Sequence, residues 1–356
     1  MSHQPVRKRR YLLIAAALLG IAALFASCGS SDGASTTSSS TAAGTSGAET
    51  PKTITIAYQN IPNGDLIVKD QGWLEEAFPD TKIEWKLFDS GGAVNEAVTA
   101  GSVDIGLAGS SPVSRGLSNK LPYQVPWIFD VIGDAEALVV KGSEGITDLK
   151  GLAGKKIATP FASTSHYSLL KALDDAGVDA TTVDIIDAEP DDIYAAWSRG
   201  DIDGAYVWNP NLASMIGDGG KVLVTSAELA KKGFTTYDLA VVTNSFAEKY
   251  PAAVTTWLEQ QSRAVELIQS KPDEAAAAIA RQLNITDAEA KAQIEDLIYL
   301  TASEQTGADY LGGGLAENLY AAAQFNKDVG EIDTVQPESW YVDAVNATFA
   351  EEAAGR

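Results

Sequence analysis

Short apolar runs alternate with longer stretches of helical spacing along most of this sequence. The runs are rich in Val, Ile and Ala and end near Gly, Asp or Ser, which is typical of buried strands. The expected strands span residues 53–57, 82–88, 103–107, 137–140, 156–158, 183–186, 203–207, 221–224 and 239–242. Because helical patterns separate most of these runs, the sequence predicts parallel βαβ units and an α/β fold with sheets covered on both faces.

Two rounds of this pattern resemble each other. Residues 100–106 and 199–205 align position for position, and Asp104 and Asp203 fall at equivalent places, where we interpret them as structural turn residues. The sequence therefore predicts two α/β lobes around a cleft. The expected first lobe comprises residues 52–137 and 242–356, the second lobe comprises 138–241, and two crossovers lie near 137–141 and 238–243.

Helical spacing dominates the C-terminal third of the chain. The expected helices there span residues 252–269, 272–283, 287–299 and 315–329. Since no further strand is predicted among them, we expect these helices to pack back on the first lobe.

One stretch, residues 159–170, combines a predicted strand end with a helix start. Ser163, Thr164 and Ser165 lie where the helix predicted at 165–176 begins. The first turn of a helix leaves N–H groups unpaired and carries the positive end of the dipole, so hydroxyls there can complete a pocket for a small anion. The alternative is that these residues only cap the helix, which is their commonest use.

The N-terminus predicts export. A basic cluster at residues 7–10 precedes an apolar run at 11–26, and Cys28, the only cysteine, follows directly. This layout is typical of a secretory signal and resembles that of bacterial lipoproteins, in which the cysteine becomes the lipidated first residue. The alternatives are an ordinary signal with an incidental Cys28 and export by the twin-arginine route. Residues 1–27 would be the signal peptide, and 28–51, rich in Gly, Ser, Thr and Ala, a flexible tether.

The chain is strongly acidic. Its 356 residues carry a net charge of −22, and since residues 1–27 hold four basic and no acidic side chains, the remainder carries −26. This charge argues against binding to nucleic acid or to an anionic membrane surface. It does not argue against a small anion, which helix ends can bind locally.

Residues suited to catalysis are scarce. Of two histidines, His3 lies in the signal and His166 alone cannot form a histidine metal site. The pattern G-x-S-x-G occurs at residues 29–33, but inside the stretch rich in Gly, Ser, Thr and Ala and not at a strand-to-helix elbow. No G-x-x-x-x-G-K-[ST] loop occurs, and no carboxylate pair stands out by its spacing. We therefore expect no cofactor and no metal.

The sequence offers more residues suited to ligand binding than to catalysis. Four loops follow predicted strands, at residues 58–59, 109–111, 161–167 and 208–210, two from each lobe. Ligands of open α/β sheets bind at the carboxyl ends of strands, so a ligand is expected between the lobes. In the second loop Ser111 is expected to cap a helix that starts at Pro112.

Several of these segments also resemble a known family. The resemblance is carried by residues 57–59, 86–91, 109–112, 136–140, 160–170 and 195–208. They are similar to the taurine-binding (sulfonate-binding) proteins of bacterial ABC importers. The resemblance implies a type II periplasmic-binding-protein fold, capture of an aminosulfonate between the lobes, and delivery by a monomer to a membrane permease.

The resemblance also implies roles for individual residues. Gln59, Ser110 and Ser111 would face the ligand from the first lobe, Ser163, Thr164, Ser165 and Tyr167 would donate hydrogen bonds to the sulfonate, Trp208 would pack over the ligand, and Glu136 and Asp238 would accept from the ammonium group. A zwitterion needs neutral donors at one end and a carboxylate or aromatic face at the other.

Alternatives to these roles and to this function stay open. Trp208 is equally well interpreted as a core aromatic residue. Glu136 is alternatively a solvated residue at a strand end, and Asp238 is alternatively a turn residue. For the function as a whole, the alternatives are a receptor for another aliphatic sulfonate or a small amine-bearing anion, and an enzyme on the same fold.

Overall fold

The computed structural model describes residues 49–355 of the chain. The strands in this part are β1 Thr53–Tyr58, β2 Lys82–Leu87, β3 Ile105–Gly109, β4 Tyr123–Ile132, β5 Glu136–Lys141, β6 Lys156–Thr159, β7 Asp184–Asp187, β8 Gly204–Trp208, β9 Gly220–Thr225, β10 Tyr237–Thr243 and β11 Leu297–Ile298. The predicted signal peptide, Cys28 and almost all of the predicted tether lie outside the described residues.

Helices connect and cover these strands. They are α1 Gly64–Gln71, α2 Trp73–Ala77, α3 Gly91–Thr99, α4 Ser110–Ser118, α5 Thr164–Asp175, α6 Pro190–Arg199, α7 Asn211–Gly217, α8 Ser226–Ala230, α9 Asn244–Lys249, α10 Pro251–Ser270, α11 Pro272–Leu283, α12 Asp287–Glu295, α13 Ala302–Gln305, α14 Gly314–Asp328, α15 Glu338–Ala344 and α16 Thr348–Ala353. None of the helices within residues 49–355 combines the length and the hydropathy that a membrane-spanning helix requires.

Two sheets organise the described part of the chain into two lobes. The first lobe holds the six-stranded sheet β11-β4-β10-β3-β1-β2, and the second holds the five-stranded sheet β7-β6-β8-β5-β9. The prediction of parallel βαβ units is confirmed for β1–β3 and for β6–β8. The strands next to the crossings, β4 and β10 in one sheet and β5 and β9 in the other, pair antiparallel, so both sheets are mixed.

The chain crosses between the lobes twice. It leaves the first lobe between Ile132 and Glu136 and returns between Ala230 and Tyr237. The crossovers predicted near 137–141 and 238–243 were wrong, because those residues form β5 and β10. An apolar run predicts a strand but does not say which sheet the strand joins, and the expected lobe boundaries therefore lie a few residues too late.

The predicted repeat has a structural basis in two equivalent carboxylates. The Asp104 side chain accepts a 2.8 Å hydrogen bond from the Thr55 backbone amide, and the Asp203 side chain accepts one of the same length from Lys156. In each lobe the aspartate thus ties the start of one parallel strand to the loop before its neighbour. Their interpretation as structural residues is confirmed.

The core of the first lobe lies between its sheet and the C-terminal helices. Helices α10, α11 and α14 contribute buried side chains to it, as predicted, and Trp257 packs its ring edge-on against Phe129 at 6.2 Å. The second lobe has an apolar cluster on each face of its sheet. Leu138 points to the cluster under α5 and Val139 to the one under α6, as the two-residue period of a strand requires.

Three element predictions failed locally. Strand β4, which carries Pro126 and Asp130, was not predicted, since both residues interrupt the apolar pattern. Helix α4 starts at Ser110 with Gly109 as its N-cap, so the expected cap at Ser111 was wrong. The helix predicted at 287–299 ends at Glu295, where the chain turns into β11.

Candidate ligand-binding site

A pocket lies between the two lobes at the carboxyl ends of β1, β3 and β8, where the sequence predicted it. It contains about 440 Å³ of space outside atoms, part of it open to solvent. Its walls are Gln59, Ile61, Pro62, Gly91, Gly109, Pro112, Ile132, Ala135, Glu136, Ser163, Thr164, Trp208, Asn209, Asp238 and Leu297. Both lobes therefore contribute to one small cavity.

Three helix N-termini meet at this pocket. Gly91 begins α3, Gly109 caps α4 and Thr164 begins α5, and all three line the cavity. The Ser163 hydroxyl accepts a 3.1 Å hydrogen bond from the His166 amide, so the capping interpretation of this serine is confirmed. First-turn amides of the helices have no partner inside the helix, and the three dipoles favour an anion here.

The N-termini of α4 and α5 come very close to each other because residue 109 is a glycine. A Cβ atom built on Gly109 would lie 2.6 Å from Cγ2 of Thr164, which is closer than carbon atoms approach. The two residues belong to different lobes. The glycine thus allows the lobes to meet at the edge of the pocket.

Glu136 carries the most hydrogen bonds of the side chains in the pocket wall that the structure describes. Its carboxylate accepts from Ser165 at 2.9 Å, Ser226 at 2.7 Å and Ser168 at 3.4 Å, and also from the Thr164 hydroxyl. Burial raises the pKa of Glu136, while these four hydroxyls act in the opposite direction. Thr164 and Ser165, expected to donate to a sulfonate, here donate to a carboxylate of their own lobe.

Asp238 and Asp130 face each other across β10 and β4, which pair at these two residues. Burial and then repulsion from Glu136 raise the pKa of Asp238 to about 7. Burial, followed by the neighbouring Asp238 and Glu136, holds the pKa of Asp130 well above its ordinary value. Neither oxygen of Asp130 has a hydrogen-bond partner of good geometry among residues 49–355, although Asp238 is close enough to affect its ionisation.

We call Asp130, Glu136 and Asp238 the acidic trio. All three carboxyls are buried, and no Lys, Arg or His in the described part of the chain forms an ion pair with any of them. Uncompensated buried charge is costly, so the trio needs protons or a cation from outside. In the described residues no group of three or more His, Cys, Asp or Glu side chains has the arrangement of a metal site.

Trp208 and Gln59 complete the wall from opposite lobes. Trp208 ends β8 in the second lobe, is half-buried, and packs against the core of the first lobe while lining the pocket. The Gln59 amide donates a 3.0 Å hydrogen bond to the Leu107 carbonyl. Trp208 is therefore both a packing residue and a pocket residue.

Four predicted site residues do not line the pocket, and their roles as ligand contacts stay predictions. Each has another partner. Ser110 accepts from the Tyr237 amide at 3.2 Å, Ser111 accepts from Asn326 at 3.5 Å, Ser165 donates to Glu136, and the Tyr167 ring packs edge-on against Phe325 at 5.2 Å.

Two polar residues of this region, Asn209 and Asp130, were not predicted as site residues from the sequence. Asn209 lies in the pocket wall and reaches across the lobes to donate to Asp296 at 3.1 Å. Asp130 lies behind the wall, next to Asp238. The only sequence signal for Asp130 was an acidic residue inside an otherwise apolar run.

Direct contacts across the cleft show that the two lobes are closed on each other. Besides the Asn209 bond, the Ser90 hydroxyl of the first lobe donates to Glu189 of the second at 3.2 Å. A pocket that is closed in this way shields its ligand from water, which strengthens the electrostatic interactions inside it.

Comparison with known proteins identifies the family and the fold of this chain. Residues 52–294 match the family described as the substrate binding domain of ABC-type glycine betaine transport systems. The chain belongs to this family. The predicted resemblance and the two-lobed periplasmic-binding-protein fold are confirmed.

Two curated relatives and one solved structure show how far the likeness extends. The chain is 34% identical over 84% of its length, and 92% of the relative's, to a taurine-binding periplasmic protein of Escherichia coli. It is 32% identical to a putative aliphatic sulfonates-binding protein of Bacillus subtilis, over 63% of this chain and 68% of that one. The aliphatic sulphonate binding protein SsuA of Escherichia coli superposes with a TM-score of 0.67 at 22% identity, covering 82% of this chain and 92% of SsuA, which shows a shared fold.

Proposed function

We propose that this family member captures taurine between its lobes and delivers it to the permease of an ABC importer. The curated taurine-binding relative supports the substrate, and the pocket's chemistry supports it independently. Taurine is a zwitterion with a sulfonate at one end and a primary ammonium at the other. The pocket wall offers carboxyl groups for the ammonium and helix N-termini for the sulfonate.

The observation that carries the proposal is that the acidic trio has no Lys, Arg or His ion-pair partner among the residues that the structure describes. Glu136 and Asp238 both line the pocket, and an ammonium group entering it would supply the missing positive charge. The Trp208 face, also in the wall, adds an aromatic surface suited to a cation. We assign the ammonium end of the ligand to this side of the pocket.

The sulfonate end belongs at the three helix N-termini. A sulfonate is a permanent anion with three acceptor oxygens, and amides in the first turns of α3, α4 and α5 are neutral donors near the positive ends of three dipoles. Since the Thr164 and Ser165 hydroxyls already donate to Glu136, we assign the anion to backbone amides more than to hydroxyls.

The same wall favours a primary amine over the quaternary ammonium in the family's description. A quaternary ammonium donates no hydrogen bond and is best held by several aromatic faces. Among the lining residues Trp208 is the single aromatic side chain, whereas two carboxyls can accept hydrogen bonds. We therefore propose an aminosulfonate rather than glycine betaine.

Binding is proposed to act by hinge closure. A ligand that touches both lobes stabilises the closed arrangement, because only that arrangement completes its contacts. The chain would work as an exported monomer, with lipid on Cys28 holding it at the outer face of the cell membrane and residues 28–51 as a tether. Tethering raises the effective concentration of the receptor at its permease.

Calorimetric titration with four small molecules tests the ligand assignment. Taurine is expected to bind at least about 30-fold more tightly than ethanesulfonate, ethylammonium or glycine betaine, because each of these lacks one of the required interactions. Equal affinity for taurine and ethanesulfonate would show that Glu136 and Asp238 do not serve an ammonium. If glycine betaine bound most tightly, the substrate would be a quaternary ammonium compound and not an aminosulfonate.

A further inference from the structure

The two aspartates of the acidic trio are placed differently from the glutamate. Four hydroxyls donate to Glu136, which stabilises negative charge on that carboxylate. Within residues 49–355 no hydroxyl donates to Asp130, and its oxygens face Asp238, which is also buried, across the paired strands β4 and β10. Two facing carboxylates in a low dielectric cannot both ionise at neutral pH.

We propose that Asp130 and Asp238 share a proton in the ligand-free protein, and that an ammonium-bearing ligand expels this proton to solvent as it binds. The proposal rests on the function proposed above, since it needs an ammonium group in the pocket. In the exchange, the O–H bond of a carboxylic acid breaks, the proton passes to the buffer, and the ligand keeps its own ammonium protons. One positive charge enters and one leaves, so the net charge of the region containing the trio is conserved.

Among residues 49–355, the groups around the pair supply no positive charge to it. Glu136 faces it from β5, and Tyr299 faces it from the residue that follows β11, where Asp296 is a further neighbour of Tyr299. The Tyr299 hydroxyl donates to the Pro62 carbonyl, and burial together with these acids raises its pKa well above the ordinary value, so it stays neutral. The raised pKa values of Asp130 and Asp238 agree with a retained proton.

Asp130 thereby acts as a positioning residue without lining the pocket. It holds the proton that it shares with Asp238, since Asp238 raises the pKa of Asp130 while Asp130 acts in the opposite direction on the pKa of Asp238. The pair therefore carries one negative charge until a cation arrives, and both carboxyls ionise only for ligands that carry an ammonium. An amine-free sulfonate leaves the proton in place and gains nothing from the pair. This release of a proton would add to the preference for ammonium-bearing ligands that Glu136 provides.

Calorimetry of the wild-type protein in two buffers of different ionisation enthalpy measures the proton directly. At pH 7, taurine is expected to release about half a proton to one proton per molecule bound, and ethanesulfonate none. The affinity for taurine should rise by up to about tenfold per pH unit between pH 5 and 7, because a primary ammonium stays protonated there while the pair must lose its proton.

A variant identifies the source of the proton. Asp130→Asn is expected to release less than half as much proton as the wild type, because asparagine carries no acidic proton and its amide can donate to Asp238 in place of the carboxylic acid. The matched control is Asp184→Asn, an exposed strand aspartate, which should release as much as the wild type.

Two outcomes would overturn the inference: tight taurine binding by the wild type with no proton released between pH 5 and 7, or unchanged release by Asp130→Asn. The first needs no variant and so does not depend on whether the variant folds. Failure of the proposed function would look different, since taurine would then bind no better than ethanesulfonate.

Discussion

Glu136→Gln is expected to weaken taurine binding by about 30- to 1000-fold. Removing one partner of a buried, hydrogen-bonded charge pair costs about 2–4 kcal/mol, and each 1.4 kcal/mol is a factor of ten in affinity. The glutamine keeps the size of the side chain. Its amide oxygen can still accept from the hydroxyls on one side, and its amide nitrogen can donate to the hydroxyls on the other, so the loss reports mainly the charge. Calorimetric titration with taurine and ethanesulfonate measures both affinities.

Comparing the two ligands shows whether Glu136 acts on the ammonium end of taurine. Ethanesulfonate affinity is expected to change by less than about threefold, because that ligand places no cation near Glu136. Glu248→Gln, which changes an exposed glutamate on α9, serves as the control and should bind both ligands as the wild type does. An equal loss for both ligands would instead place Glu136 in the support of the anion subsite.

Gly109→Ala is expected to weaken taurine and ethanesulfonate alike, by about 10- to 100-fold, because it prevents full closure of the lobes. The added Cβ would meet Thr164 of the opposite lobe at 2.6 Å, and both residues sit at the starts of rigid helices. Overpacking of this kind typically costs about 1–3 kcal/mol. Small-angle scattering with and without taurine should show a smaller ligand-induced compaction than in the wild type.

A second glycine provides the matched control for closure. Gly217 ends α7, and a Cβ built on it would meet nothing within 4 Å, so Gly217→Ala should bind and compact like the wild type. If Gly109→Ala bound taurine with wild-type affinity and compacted fully, closure at this contact would not be part of binding.

Much of the fold was predictable because strands and helices leave different periods in the sequence. The repeat at Asp104 and Asp203 also revealed two lobes, since both carboxylates make the same hydrogen bond. The long strand β4 was not predicted, because Pro126 and Asp130 break its apolar pattern. The positions of the two crossings between the lobes were also wrong, because the local pattern does not reveal which sheet a strand joins.

The pocket was predictable in position and less so in detail. Gln59, Glu136, Trp208 and Asp238 all line it, together with the start of α5. The Thr164 and Ser165 hydroxyls of that helix were expected to donate to a ligand, yet they donate to Glu136. A sequence does not show to which of several acceptors a hydroxyl donates.

A crystal structure of the protein with taurine bound tests the central assignment most directly. The ammonium nitrogen is expected within hydrogen-bond distance, about 2.7–3.2 Å, of the Glu136 and Asp238 carboxyl oxygens. The sulfonate oxygens should then lie against the first-turn amides of α3, α4 and α5. A taurine bound the other way round, with its sulfonate toward Glu136 and Asp238, would contradict the proposed recognition.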